Sequence, residues 1–331
     1  MPPIDANPDR PADPLSAAQR LAHAGHAVDI NGVVAHRSND STVMLTGALG
    51  AIGCVAGLLW PIEASVGLLT ILLSAITDSD GGQGWVRRLV IRGIDHTIVV
   101  WPKPSELDEP ERPSLLVTAP LVPTVSLPFR PSRWMVAPIV GCLLGIVSLA
   151  GVPLWGPAPT IAVATALLVA TIAMRIRSGL GLVTPEENPA RLVWEHGVTH
   201  HETPTHLRVV WALVAGDPST QDGLSTLLLN HSHRIVKKTT RIVCLNPSVN
   251  PLSLVTEEGW VRARAADGWF RTAANDLGLP PQSGTSAALT AVKLGWRAAA
   301  LNVAADQQER AHQMLQSLIA HADANAEDGS W

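Results

Sequence analysis

The sequence predicts an α/β fold, a mostly parallel sheet with helices on both faces, joined to four transmembrane helices arranged as two hairpins. Three observations carry this expectation. Two long apolar blocks, residues 43–77 and 134–174, hold a single charged residue between them, Glu63. The remainder alternates strand-type and helix-type segments, the pattern that builds parallel sheets covered by helices. And the 331 residues are 47% hydrophobic but only 16% charged, where about a quarter charged is usual for a soluble domain.

Residues 1–42 read as an N-terminal cytoplasmic segment. Its Pro- and Asp-rich start has the composition of disordered chain, and 15–28 reads as a short amphipathic helix. No basic region followed by an apolar core and a small-residue cleavage site is present, so it is not a signal peptide.

Block 43–77 is too long for one span, which takes roughly 20 apolar residues. Trp60-Pro61-Ile62-Glu63 breaks it into a hairpin, and its small residues Gly47, Gly50, Gly53 and Gly57 allow close helix packing. The Pro-rich stretch 153–159 divides block 134–174 in the same way. Buried helices of a soluble protein are the competing reading, weighed lower because uncharged runs of this length have few other homes. Arg87, Arg88, Arg92, Arg130, Arg133, Arg175 and Arg177 flank the hairpins, whose turns carry no Lys or Arg. Under the positive-inside rule the turns point outward. That predicts an integral protein of the inner or plasma membrane, with both termini and the α/β part cytoplasmic. Trp60, Trp134 and Trp155 then serve as interfacial anchors, and the lipid bilayer is a partner.

Residues 78–133 supply the first strands of the cytoplasmic domain: 85–101, alternating around Gly93, and 114–119, a short apolar run of the kind buried on both faces. Residues 175–331 complete it. Helix candidates at 188–197, 221–236, 260–277 and 286–294 intervene among strands at 207–215, 240–245 and 298–303, and a long helix at 306–326 closes one face of the sheet.

Composition excludes several functions. Twenty-four basic against 28 acidic residues leave a net charge of -4, which does not suit a nucleic-acid binder. The chain has no Tyr, so no tyrosine serves as nucleophile or acid. Cys54, Cys142 and Cys244 are odd in number and widely spaced, supporting neither a disulfide framework nor a thiolate zinc site. No GxGxxG, P-loop or nucleophile elbow occurs. Asp217, Asp222, Glu257 and Glu258 could supply a carboxylate pair, but acids at strand ends are usually just solvated.

The order of certain segments is similar to the zinc-dependent aminopeptidase superfamily, which includes bacterial leucyl aminopeptidase, glutamate carboxypeptidase and the transferrin receptor. The similarity runs from about Asp95 to the C-terminus, with the second hairpin as an insertion. PSLLVTAPLVP stands where the family has a strand ending in Thr-Ala-His-x-Asp, placing Pro120 at the His. PEENPARLV resembles the Asn-Asp-Asn-x-Ser-Gly turn, with Glu187 and Asn188 at its Asp-Asn pair. VVWALVAGDPSTQDGLSTLL matches the strand ending in Gly-x-Glu-Glu and the helix begun near a Gly, with Asp217 near the glutamates. CLNPS puts Asn246 at a Leu-Asp strand end. TSAAL aligns with Ser-Asp-His-x-x-Phe, placing Ala287 at the second His, and GWRAAALN is similar to the Gly-x-Pro-Ala segment.

The resemblance implies the fold and a degenerate site. Two zinc ions about 3.5–4 Å apart need imidazoles and carboxylates converging from several strand ends, with a further carboxylate as general base. Pro120 and Ala287 have no lone pair to donate and a neutral Asn246 is a poor ligand, so only Glu187 and Asp217 remain acidic. The expectation is therefore a membrane-embedded pseudopeptidase without catalytic residues, cofactor or metal, which binds or assembles with another membrane or cytoplasmic protein. Two alternatives stand beside it. One is a structural subunit of a membrane complex. The other is a zinc metallopeptidase with a rearranged site recruiting Glu187, Asp217 and the histidines of WEHGVTHHETPTHL, namely His196, His200, His201 and His206. That segment is not an HExxH motif, because Pro204 interrupts it; the plainer reading is a solvated loop. His231 and His233, beside Lys237 and Lys238, read as a basic helix end suited to the helix dipole or to anionic lipid.

Overall fold

Along β3 (Ser114–Pro120) and β4 (Arg208–Val214) every residue is buried, because these Val- and Leu-rich runs are covered by helices on both faces. They lie side by side with β5 (Thr240–Pro247) and β9 (Arg297–Val303) in a parallel block ordered β4-β3-β5-β9. The computed structural model describes residues 14–35, 40–79, 85–90, 93–102, 112–121, 131–179, 188–200, 204–215, 222–248, 251–258, 264–265, 268–284, 288–329 and 331.

The full sheet is mixed, which corrects the expectation of a mostly parallel one. β1 (Ala27–Ala35) pairs antiparallel with β2 (Gly93–Trp101), and β2 pairs antiparallel with β4. On the other side β6 (Ser253–Glu258) runs antiparallel to β9 and to the two-residue β7 (Arg264–Ala265), and parallel to β8 (Pro281–Gly284). Of the flanking strands, β1, β7 and β8 escaped the apolar pattern because they are wet or short. Most residues of β1 are exposed or half-buried, so nothing in AVDINGVVA has to alternate.

Alternate side chains of the central strands feed two cores. Trp211 and Leu213 of β4 point with Leu115 and Val117 toward α8 (Pro189–His200), α10 (Gly268–Asp276) and α12 (Gln308–Glu327). Val210 and Ala212 point with Leu116 and Ile242 toward α9 (Asp222–Asn230) and α11 (Leu289–Lys293). Segment 85–101, read as one strand, splits into α4 (Trp85–Leu89) and β2. The amphipathic start becomes α1 (Pro14–His23).

The two apolar blocks form a four-helix bundle of α2 (Asp40–Ala56), α3 (Pro61–Ser79), α5 (Pro131–Ala150) and α7 (Ala158–Gly179), with a short α6 (Val152–Trp155) in the second turn. Among the described residues no helix is long and apolar enough to cross a membrane. The expectation of transmembrane hairpins is corrected accordingly. Length and interruption explain it. The 17 residues of α2 reach about 26 Å at 1.5 Å per residue, short of a hydrocarbon core of roughly 30 Å. α3 contains Glu63 and Asp78, α5 opens on Pro131 and Arg133, and α7 ends on Arg175 and Arg177. Those polar ends shorten each apolar run. The integral-membrane location and the cytoplasmic placement of the termini rested on these spans, and both fall with them.

Inside the bundle the small residues do bring helices together. A Cβ at Gly53 would sit 2.8 Å from Leu68 Cδ2, and one at Gly145 2.7 Å from Cys54 Sγ. Cys54 and Cys142 are free and buried there, and burial, reinforced by Cys54, pushes the Cys142 thiol up to about 11. At its turns the bundle exposes Leu59, between α2 and α3, Ile62 at the start of α3 and Leu154 of α6, the last at 81%.

Candidate functional site

The carboxyl ends of the parallel strands are where an open α/β sheet presents its ligand-binding residues. In this protein the register places Pro120 level with Val214, and Asn246 level with Asn302. β3 and β5 are neighbours in parallel register, so the fold brings Pro120 and Asn246 to the same end of adjacent strands. Glu187, Asp217 and Ala287 lie outside the described residues, as does His201. The side chains of Asp222, Glu257 and Glu258 lie outside the description too.

The groups at this end satisfy one another. Asn246 Nδ2 donates to Asn302 Oδ1 at 2.8 Å, and Asn302 Nδ2 donates to Ser253 Oγ at 3.0 Å and to Gln282 Oε1 at 3.3 Å. Asn188, buried at the start of α8, donates to the Pro120 carbonyl at 2.7 Å, and its Oδ1 accepts from the Arg191 backbone N–H at 3.4 Å. One side chain thus caps α8 and ties it to the end of β3. Such amides can hold and orient a polar group. Being neutral, they supply no general base.

Asn302, Ser253 and Gln282 were not singled out from sequence, although one signal was present. In RAAALN an amide follows an apolar strand, as it does in CLN at Asn246. Asn302 is 3% exposed, and Asn302→Ala is expected to destabilise the fold by about 1–3 kcal/mol, because Asn246 and Ser253 lose a partner that water cannot readily replace. Urea unfolding followed by tryptophan fluorescence measures this loss.

A second cluster lies between α8 and α12. His196 and His200 are on the helix itself, not in a loop, because α8 continues to His200. Their rings stack at 4.2 Å, and His312 of α12 meets the His196 ring edge-on at 4.0 Å. His196 and His312 line a cleft of about 730 Å³ together with Leu192, Glu195 and Glu309. Burial, then the neighbouring His196 and His200, lower the pKa of His312. Among the described residues no three His, Cys, Asp or Glu side chains are placed to hold a metal ion. His206 stands apart from the cluster, near Glu327 at 3.9 Å.

The remaining sequence candidates have structural surroundings. His231 is buried against Trp101 with ring centroids 5.2 Å apart, and its Nε2 lies 2.9 Å from Asn31 Nδ2. It follows the end of α9 and is not an exposed basic helix end. Burial is the main cause of its lowered pKa. Cys244 is buried within β5.

No protein-family profile and no curated protein matches the sequence. Among solved structures the chain is similar to BSAP, a zinc aminopeptidase from Bacillus subtilis, with a TM-score of 0.35 and 13% identity over 69% of this chain and 50% of that one. It is also similar to the aminopeptidase from Aneurinibacillus sp. strain AM-1, with a TM-score of 0.33 and 11% identity over 71% and 48%. The chain spans about half the length of these structures.

Proposed function

We propose that this protein is a pseudopeptidase with a binding or assembly role, in which an α/β domain with an aminopeptidase-like order of motifs positions partners and does not cleave peptides. The observation that carries this reading is the mutual bonding of Asn246, Asn302, Ser253 and Gln282 beside Pro120. An edge built from paired amides and a proline recognises polar groups without moving protons. The assembly part is supported by the bundle, which leaves Ile62 76% and Leu59 72% exposed. Apolar surface concentrated on one element is characteristic of contact with another protein.

The test is activity and metal content measured together. Purified full-length protein, incubated with aminoacyl p-nitroanilides with and without added Zn2+, is expected to release no nitroaniline and to carry no stoichiometric metal by mass spectrometry. Turnover dependent on one or two equivalents of zinc, abolished by His200→Ala, would establish the metallopeptidase with a rearranged site instead.

A further inference from the structure

We infer that α3 presents a coiled-coil seam that no helix among the described residues fills, and that its occupant is α3 of a second copy of this chain, lying antiparallel across a two-fold axis. This rests on the assembly role proposed above and names its partner. On α3, Ile62, Val66, Leu69, Leu73 and Ile76 recur at spacings of four and three residues and are 40–76% exposed. At 3.6 residues per turn they line one arc about 80° wide. That is the pattern by which one helix seats its side chains between those of another at a crossing of about 20°. Beside the arc, the exposed positions Glu63, Gly67, Thr70 and Thr77 carry no large apolar side chain. The apolar strip therefore has an edge, as a helix-docking face does.

The fold holds this seam in place. Trp85 Nε1 of α4 donates to the Thr70 carbonyl at 3.2 Å, and the Val86 N–H donates to Ser74 Oγ at 3.0 Å, so α4 braces α3 beside the polar strip. Behind the seam, Ala64, Leu68, Ile71 and Leu72 are buried in the bundle. α5 packs against α3 and adds Val140, Leu143 and Val147, each about half exposed and again three and four residues apart. Together these side chains expose roughly 800 Å² of apolar surface, about what one partner contributes to a standard interface.

A second copy fits this face because the seam is nearly palindromic about Leu69. Ile62 and Ile76 lie at equal distances to either side of it, and Val66 and Leu73 at nearly equal ones. An antiparallel pair therefore stacks Leu69 on Leu69 and sets each Ile62 against Ile76 of the other copy, a patch that is its own complement. Charge selects the direction. Glu63 stands in the first turn of α3, and antiparallel pairing keeps its two copies about 18 Å apart along the axis, beyond a Debye length of about 8 Å. A parallel pair would bring both carboxylates to the same end.

Sedimentation velocity of the purified full-length protein over a range of concentrations tests this. The wild type is expected to run as a two-chain species. Leu69→Glu is expected to weaken association by about a hundredfold or more, since two carboxylates would meet at the centre of a desolvated seam. Leu168→Glu, at matching exposure on α7, is expected to leave the pair intact. A wild type that stays a single chain, a Leu69→Glu variant that still pairs, or dissociation by both variants overturns the proposal. Should Leu69→Glu fold poorly, cross-linking decides. Oxidised with copper phenanthroline, Leu69→Cys is expected to link to itself, and Ile62→Cys only to Ile76→Cys in a mixture. No link at position 69, or self-linking of Ile62→Cys, refutes the antiparallel seam. Flotation of the wild type as a single chain with phosphatidylcholine vesicles overturns it in favour of a lipid surface. The nitroanilide assay separates the two readings: a monomer without turnover defeats the pair alone, and a two-chain species with zinc-dependent turnover defeats the pseudopeptidase alone.

Discussion

Gly223→Ala is expected to destabilise the protein by about 3 kcal/mol, although helix propensity alone favours alanine by about 1 kcal/mol. Gly223 is in the first turn of α9, where the helix crosses the end of β4. A Cβ there would run into the Ala215 carbonyl oxygen and lie 2.8 Å from both the Ala215 nitrogen and Val214 Cγ1. Two of the three obstacles are main chain of Ala215, the buried residue just past β4 whose N–H donates to Thr97 Oγ1 at 3.1 Å, so it cannot readily turn aside. α9 must lift, and Leu224, Leu227 and Leu228 lift with it from the second core. Gly67→Ala is the control. It lies within α3 with nothing within 4 Å of the added carbon, so the same substitution is expected to stabilise by about 0.5–1 kcal/mol. Thermal unfolding of the two variants gives shifts of opposite sign; a stabilised Gly223→Ala would show that α9 does not approach β4 so closely.

The second large effect is expected at Asp323, whose carboxylate gathers the turn that leads into β4. Oδ1 accepts the backbone N–H groups of His206 and Leu207, both at 2.8 Å, and Oδ2 accepts that of Thr205 at 3.1 Å and its hydroxyl at 3.3 Å. One α12 side chain thereby supplies acceptors for three consecutive amides that no strand partner reaches. Asp323→Ala is expected to cost about 2–3 kcal/mol, the bonds being charge-assisted but only partly shielded from water. The pH dependence separates this from loss of packing. Burial alone would raise the Asp323 pKa, but the bonds from His206, Thr205 and Leu207 outweigh it and hold the carboxyl below its ordinary value. Its contribution is therefore present above about pH 4 and is lost as pH falls through the lowered folded value. The variant should show a flatter loss of stability in acid than the wild type; parallel curves would mean that the carboxylate is not bonded in this way.

The central strands were legible because each is a continuous buried run. LLVTA, VVWALV and RIVCL can sit only between two helical layers, and they became β3, β4 and β5. β1, β7 and β8 were not legible, because β1 is mostly wet and β7 and β8 are only two and four residues long, and β6, although Ser253 to Thr256 are buried, was not legible because only two of its six residues are apolar. The apolar blocks were correctly divided at their turns, yet their fate depended on helix length and on where Glu63, Asp78, Arg133, Arg175 and Arg177 fall along each helix. Boundaries at that resolution are set by packing. At the sheet edge, Pro120 and Asn246 could be named in advance, whereas Asn302 could not, because its significance comes from the strand order that seats β9 beside β5.

By itself the sequence determined the α/β class, the buried central strands and the break of each apolar block at its turn, all of which follow from local composition and period. Only the tertiary structure decided the mixed sheet, the closure of Asn246 onto Asn302, Ser253 and Gln282, and the meeting of His312 with His196 and His200. These join residues tens to more than a hundred positions apart, and such contacts arise from strand order and helix packing, which no local pattern encodes.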